Sequence, residues 1–132
     1  MHFNLVDSVL EQTAQHIVTH KQVSNAEEYL LDHFPGYPVL PGVMMIEAMV
    51  QAARRLAGPN EPPLVLGQVR ALKYGSFVRP GDILRVRIEL LKRADDGTTE
   101  FKGEAERFTP GDSTAEPKVA VSGRFALRPI RR

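Results

Sequence analysis

The sequence contains no cysteine among its 132 residues. Without cysteine the chain can form no disulfide, use no thiol nucleophile and build no cysteine-containing zinc site. Its 17 basic and 16 acidic residues leave a net charge of +1, which gives no electrostatic basis for binding nucleic acid. The sequence also lacks an apolar run of about 18 residues and the basic, apolar and small-residue segments of a signal peptide. We therefore expect a cytoplasmic protein that binds neither nucleic acid nor membrane.

Residues 33–57 form the most distinctive stretch of the sequence. Its first half is interrupted by closely spaced prolines and glycines, namely Pro35, Gly36, Pro38, Pro41 and Gly42. This spacing excludes a regular helix or sheet ladder and predicts a rigid, turning loop. Residues 43–57 contain neither residue type and end before a Gly-Pro pair, which predicts a helix of about four turns.

The predicted helix is apolar on almost every side, and such helices are normally buried. Glu47 and Gln51 are the polar residues in its buried part, and their spacing of four places them on one face. A carboxylate is almost never fully buried without a partner. His33, at the other end of the rigid loop, is the titratable group that we expect to share a site with Glu47.

Alternating apolar and polar residues predict strands on both sides of this helix. The predicted ranges are 3–11, 14–24, 64–72, 83–93, 98–109 and 118–128, and a further segment over 74–82 closes in a turn at Pro80 and Gly81. The range 3–11 fits a helix equally well, and Asn25 can cap a short helix over 27–31.

These elements combine into an α+β fold, in which a curled antiparallel sheet of five or six strands wraps around one long central helix. Phe101, Gly103 and Ala105 share the inward face of one strand, where small residues let the helix lie close. The chain length fits a single domain over residues 1–132. Unpaired sheet edges predict a homodimer formed by edge-to-edge pairing.

The central stretch resembles the beta-hydroxyacyl-(acyl carrier protein) dehydratases of the FabZ type, which have the hotdog fold. The matching residues are His33-Phe34-Pro35-Gly36, Pro38-Val39, Pro41-Gly42-Val43, Glu47-Ala48 and Gln51. Weaker likeness extends it over most of the chain, at Leu5-Val6-Asp7, Phe77, Pro80-Gly81-Asp82 and Phe101-Lys102-Gly103-Glu104-Ala105. The resemblance implies a lyase of fatty acid or related acyl-chain synthesis, which converts 3-hydroxyacyl thioesters to trans-2-enoyl thioesters. It also implies an acyl carrier protein or CoA thioester as substrate, a homodimer or an assembly of dimers, and no metal or redox cofactor.

The same resemblance assigns roles to individual residues. It implies that His33 is the base and Glu47 the acid, that the Val39 carbonyl orients the imidazole, and that the Gly42 N–H receives the thioester oxygen. The residues support these roles independently, because the first N–H groups of a helix, at Gly42 and Val43, are unpaired donors at its positive end.

Further residues are expected to support the site. Gln51 can hold the Glu47 carboxyl by a hydrogen bond. An acyl chain needs an apolar tunnel, and the predicted lining consists of Met44, Met45, Met49 and Phe101. No metal site is expected, since His16 and His20 on one strand lie about 13 Å apart, too far to share an ion.

Alternatives remain open at this point. A hotdog acyl thioesterase would keep the fold and change the reaction, and a non-catalytic module would bind acyl chains or acyl carrier protein through the same pocket. An isomerising branch of the dehydratases typically has Asp where Glu47 stands. Packing alone would also account for a histidine in a turn, a hydrogen-bonded Glu–Gln pair and methionines in a core.

Overall fold

The computed structural model describes residues 4–23, 40–58, 63–111 and 116–130. Within these ranges the chain forms β1 (Ser8–Gln12), β2 (His16–Gln22), α1 (Gly42–Ala57), β3 (Leu64–Tyr74), β4 (Ile83–Arg93), β5 (Thr99–Phe108) and β6 (Lys118–Pro129). The short helix predicted after Asn25 and the rigid loop that carries His33 and Val39 lie outside the described residues. No helix in the described part of the chain is long and apolar enough to cross a membrane.

The described strands form one six-stranded sheet in the order β1-β2-β4-β5-β6-β3, and every neighbouring pair is antiparallel. Helix α1 lies across one face of this sheet and contacts β2, β3, β4, β5 and β6. The predicted α+β architecture, a curled sheet around one long helix, is confirmed. The sheet stays open, so that β1 and β3 are its two edge strands.

Helix α1 packs closely against β5 within the core. A Cβ atom at Gly103 would lie 2.7 Å from Sδ of Met49 and 3.0 Å from Cδ1 of Ile88, so only glycine leaves room for the helix here. Gly103 is also paired in register with Gly123 on β6. The prediction that small residues on β5 allow close approach of the helix is therefore confirmed.

The expectation that α1 is buried on every side is wrong for one flank. Its buried residues are Met45, Ala48, Met49, Val50, Ala52, Ala53 and Leu56. Val43, however, is 69% exposed, and the side chains of Glu47 and Arg54 are 41% and 43% exposed. The sheet covers only one side of the helix in a single chain, which leaves this flank open.

Strand β3 differs from its predicted bounds because it continues unbroken to Tyr74, and residues 75–82 are not a strand. Its pairing with β6 shifts register between Arg70 and Lys73, and Ala71 within this bulge has a φ of 51°. A non-glycine residue in the left-handed region is uncommon and marks local strain. The predicted turn at Pro80 and Gly81 is present, since Gly81 has a φ of 97°.

Candidate active site at the start of helix α1

Helix α1 begins without a side-chain cap. Pro41 precedes it in an extended conformation, and its carbonyl accepts the N–H groups of Met44 at 2.9 Å and Met45 at 3.2 Å. The N–H groups of Gly42 and Val43 have no hydrogen-bond partner among the described residues. Unpaired amides at the positive end of a helix favour a negatively charged or polarised oxygen. The first turn also contains no acidic residue that would compete for them.

Tyr74, the last residue of β3, lies directly over Gly42. A Cβ atom at Gly42 would come within 2.8 Å of ring atoms of Tyr74 and 2.9 Å of its hydroxyl oxygen. Glycine therefore allows the aromatic ring to approach the backbone of the helix start. Partial burial raises the pKa of the Tyr74 phenol. A tyrosine hydroxyl is protonated and able to donate at neutral pH even without this shift.

An apolar cavity of about 350 Å³ opens beside these amides. Its lining includes Leu40, Gly42, Val43, Met45, Tyr74 and Phe77. Val43 and Phe77 are 69% and 62% exposed, which leaves two large apolar side chains at the cavity mouth. A cavity of this size with a few convergent donors is typical of a site for a small apolar ligand that carries one polar group.

Glu47 lies on the open flank of α1, further along the helix. Its Oε1 accepts a hydrogen bond from Nε2 of Gln51 at 3.3 Å and lies 3.7 Å from Nη1 of Arg54. The Oε1 atom of Gln51 accepts the backbone N–H of Leu5 at 2.8 Å. Gln51 therefore joins the Glu47 carboxyl to the segment that precedes β1.

The structure brings together some of the predicted site residues and separates others. Gly42, Val43 and Met45 line the cavity at the helix start, while Glu47 and Gln51 lie on the adjacent flank. Of the residues predicted to line a tunnel, Met44 is partly buried, Met49 packs in the core against Gly103, and Phe101 stacks on Phe125 with ring centroids 5.5 Å apart. His33 and Val39 lie outside the described residues.

Three residues of the site were missed by sequence reasoning. Arg54 could have been placed near Glu47 from the sequence. It follows Glu47 by seven positions, or about two helical turns, and therefore lies on the same helix face. Tyr74 carried no such signal, and Phe77 belonged to the weaker family likeness without a role at the site. Their place beside α1 depends on where β3 ends and on the loop that follows it, which tertiary structure decides.

The described residues contain no group of three or more His, Asp and Glu side chains that could hold a metal ion. The two histidines of β2 have partners of other kinds. His16 contacts Glu11 at 2.8 Å, and Nε2 of His20 accepts a hydrogen bond from Nε of Arg85 at 3.0 Å.

Comparison with solved structures defines the class of fold. The chain is similar to one titled the dehydratase heterocomplex ApeI:P from Xenorhabdus doucetiae, with a TM-score of 0.67 and 17% identity, over 96% of this chain and 99% of that one. It is also similar to a hypothetical thioesterase with coenzyme A from Streptococcus pneumoniae TIGR4, with a TM-score of 0.68 and 13% identity, over 93% and 84% of the two chains. Together with the curled sheet and single long helix, these likenesses define a hotdog fold.

Sequence comparison then defines the family. The family model described as ApeI-like, ApeI dehydratase, matches residues 9–112. The 3-hydroxyacyl-[acyl-carrier-protein] dehydratase FabZ of Syntrophobacter fumaroxidans is 37% identical over 91% of this chain and 83% of its own length. The FabZ of Clostridium perfringens strain SM101 is 35% identical over 92% and 84% of the two chains. The chain belongs to the family of FabZ-type hotdog dehydratases.

Proposed function

We propose that this chain removes water from 3-hydroxyacyl thioesters to give trans-2-enoyl thioesters, a lyase reaction of fatty acid or related acyl-chain synthesis. Family membership supports this reaction. The observation that supports the helix start as its site is the pair of unpaired N–H groups at Gly42 and Val43 beside an apolar cavity. The names of the FabZ relatives support acyl carrier protein as the carrier of the substrate.

In the proposed reaction His33 removes a proton from C2 of the substrate. Negative charge then develops on the thioester oxygen, where the N–H groups of Gly42 and Val43 stabilise it. The electron pair of the broken C2–H bond forms the C2–C3 double bond. The 3-hydroxyl leaves as water after it takes a proton from Glu47, directly or through a water molecule. The Val39 carbonyl has the role of orienting the imidazole.

The proposal includes the form in which the protein works. Residues 1–132 make one hotdog dehydratase-like domain in the cytoplasm, and two copies pair as a homodimer. The open flank of α1 supports a dimer, because Val43 and Glu47 there are incompletely covered in a single chain. The acyl chain enters beside Met44 and Met45 and extends toward Met49 and Phe101, whose buried side chains must move to admit it.

Hydration of a crotonyl thioester, the reverse reaction, tests this function through loss of enoyl absorbance. We expect turnover by the wild type and a fall of at least about 100-fold in both His33→Ala and Glu47→Gln, because general acid or base catalysis contributes about 10²- to 10⁴-fold. His16→Ala and Glu104→Gln are matched controls on the sheet and should retain activity. Equal turnover in all five proteins would remove His33 and Glu47 from the mechanism.

A second measurement on the same thioester distinguishes dehydration from thioester hydrolysis. The hydrolysis alternative is motivated by the structural neighbour titled a hypothetical thioesterase with coenzyme A. A thioesterase releases a free thiol, which a thiol-trapping dye detects, whereas a dehydratase does not. Thiol release without loss of enoyl absorbance would overturn the proposed function in favour of acyl thioester hydrolysis. Absence of both signals, with binding of acyl carrier protein retained, would leave a non-catalytic binding module.

A further inference from the structure

Arg54 contacts the carboxyl of Glu47 from about two turns further along α1. Its Nη1 atom lies 3.7 Å from Oε1 of Glu47, and the two side chains are 43% and 41% exposed. The neighbouring Arg55 is also exposed, but among the described cations only Arg54 forms an ion pair with Glu47. The helix therefore presents two adjacent arginines, of which one faces the proposed acid.

Arg54 is held in place by the sheet. Its Nε atom donates a hydrogen bond at 3.2 Å to the carbonyl of Leu64, the first residue of β3. A planar guanidinium with fixed donor directions loses little further freedom when a second donor is engaged. Arg54 is therefore bonded to the strand through Nε while its Nη1 lies beside Glu47, so one guanidinium joins β3 to the proposed acid.

The two polar neighbours of Glu47 approach the same oxygen. Gln51 donates to Oε1 at 3.3 Å and Arg54 approaches Oε1 at 3.7 Å. Within the described residues, no hydrogen bond or ion pair involves Oε2. A carboxyl held in this manner has one oxygen engaged by the protein and one available for exchange of a proton.

We propose that Arg54 is a positioning residue for Glu47 in the dehydration reaction, and this inference rests on the proposed function. Arg54 and Gln51 hold Oε1, so that Oε2 faces the 3-hydroxyl of the substrate. When the O–H bond of Glu47 breaks, its proton passes to the hydroxyl, the C3–O bond breaks with its electron pair on oxygen, and water leaves. The guanidinium then stabilises the carboxylate that remains.

The expected size of the effect follows from exposure. Ion pairs with substantial solvent access contribute up to about 1 kcal/mol, which corresponds to a change in rate of roughly five-fold. We therefore expect Arg54→Gln to lower kcat by about three- to fivefold and to leave KM within about twofold, because the residue acts through Glu47 and not through the bound substrate.

The experiment compares the purified wild type with Arg54→Gln, Arg54→Lys and the matched control Arg55→Gln in the crotonyl thioester assay, with the thermal midpoint of each. Arg54→Lys keeps the charge but loses the planar fork, so we expect a kcat between those of the wild type and Arg54→Gln. Arg55→Gln makes the same chemical change one position away and should keep the wild-type kcat.

Each outcome decides the inference. A folded Arg54→Gln with wild-type kcat, an equal fall in Arg55→Gln, or a rise in KM without a fall in kcat would each overturn it. If Arg54→Gln does not fold, the comparison passes to the other two variants: a kcat for Arg54→Lys below that of Arg55→Gln supports the inference, and equal values overturn it. An inactive wild type is a separate result, because it overturns the proposed function itself.

Discussion

His20 is a residue whose charge the fold controls. It lies on β2, and its Nε2 atom accepts a hydrogen bond from Nε of Arg85 on β4 at 3.0 Å. This hydrogen bond requires the neutral imidazole, since a protonated ring has no acceptor. Burial and the positive charge of Arg85 lower the pKa of His20 below its usual 6.5. The guanidinium of Arg85 is itself fixed, because it lies 4.2 Å from the centre of the Phe108 ring.

This lowered pKa predicts a loss of stability in mild acid. As the pH falls below 6.5, the unfolded chain takes up a proton at His20 before the native state does, so the free energy of unfolding decreases. The stability that neutral His20 contributes is complete above about pH 6.5 and is lost as the pH falls through the lowered folded-state pKa. His20→Gln, which can still accept from Arg85, should therefore lose less stability than the wild type between about pH 7.5 and about pH 5.

Urea unfolding at a series of pH values measures this difference. His16→Gln, on the same strand but without the arginine contact, controls for the replacement of a strand histidine. An acid-side decline of the urea midpoint that is equally steep in His20→Gln and the wild type would contradict the assignment.

Among the structural elements, β4 could be predicted from sequence and β3 could not. The observed bounds of β4, Ile83–Arg93, are those predicted, because one face is buried and the other solvated along most of its length. Strand β3 is exposed along most of both faces, so it lacks the alternation that marks a boundary. Its continuation to Tyr74 depends on pairing with β6, a long-range contact that a local pattern does not contain.

The candidate site divides in the same way. The helix start and the Glu47–Gln51 spacing are local features, so they were visible in the order of residues. Tyr74 over Gly42 and the Leu64 carbonyl against Arg54 each join a strand to the helix. Such contacts depend on how β3 lies relative to α1, which no periodicity specifies.

The packing of α1 on β5 can be tested at Gly103. An added Cβ would lie 2.7 Å from Met49, 3.0 Å from Ile88 and 3.2 Å from Phe125, so the neighbours must move on three sides. Gly103→Ala should therefore lower the free energy of unfolding by about 1–3 kcal/mol, the usual cost of overfilling a packed core. Urea denaturation at one protein concentration measures it, since association would also shift the midpoint.

Gly67→Ala is the matched control for this substitution. Gly67 lies on the exposed strand β3, and the three atoms nearest to a Cβ there all belong to the flexible side chain of Arg128, the nearest at 3.1 Å. Its effect should stay within about 0.5 kcal/mol, as for most surface changes. Equal losses in both variants would show that the contact with Met49 does not limit the approach of the helix.

For the whole molecule, the two sheet edges differ in their capacity to pair with a second copy. Strand β3 has 11 residues and β1 has five. The longer edge offers more unpaired backbone groups, and Leu66, Val69 and Tyr74 on it are exposed. Edge-to-edge pairing through β3 would also extend the sheet beside the open flank of α1. We therefore expect the proposed homodimer to pair through the edge at β3.

Sedimentation velocity at several protein concentrations tests this choice of edge. Val69→Lys places a charge on β3 and should raise the dimer dissociation constant by at least about tenfold, because a desolvated unpaired charge opposes edge pairing. Val9→Lys makes the same change on β1, where the valine is 40% exposed, and should leave the dimer intact. The reverse result would assign the interface to β1, and a monomeric wild type would exclude the dimer.

The bulge at Ala71 links the edge of the sheet to the mouth of the cavity. Two residues of β3 fall outside the ladder between Arg70 and Lys73, just before Tyr74, which lies over Gly42. Such a bulge normally bends its strand. The position of Tyr74 over the helix start is thus determined by the bulge in β3 and not by contacts within the site. A variant in which β3 lacks this bulge would move Tyr74 away from Gly42. The N–H groups of Gly42 and Val43 would then be exposed to solvent, although His33 and Glu47 would still be present.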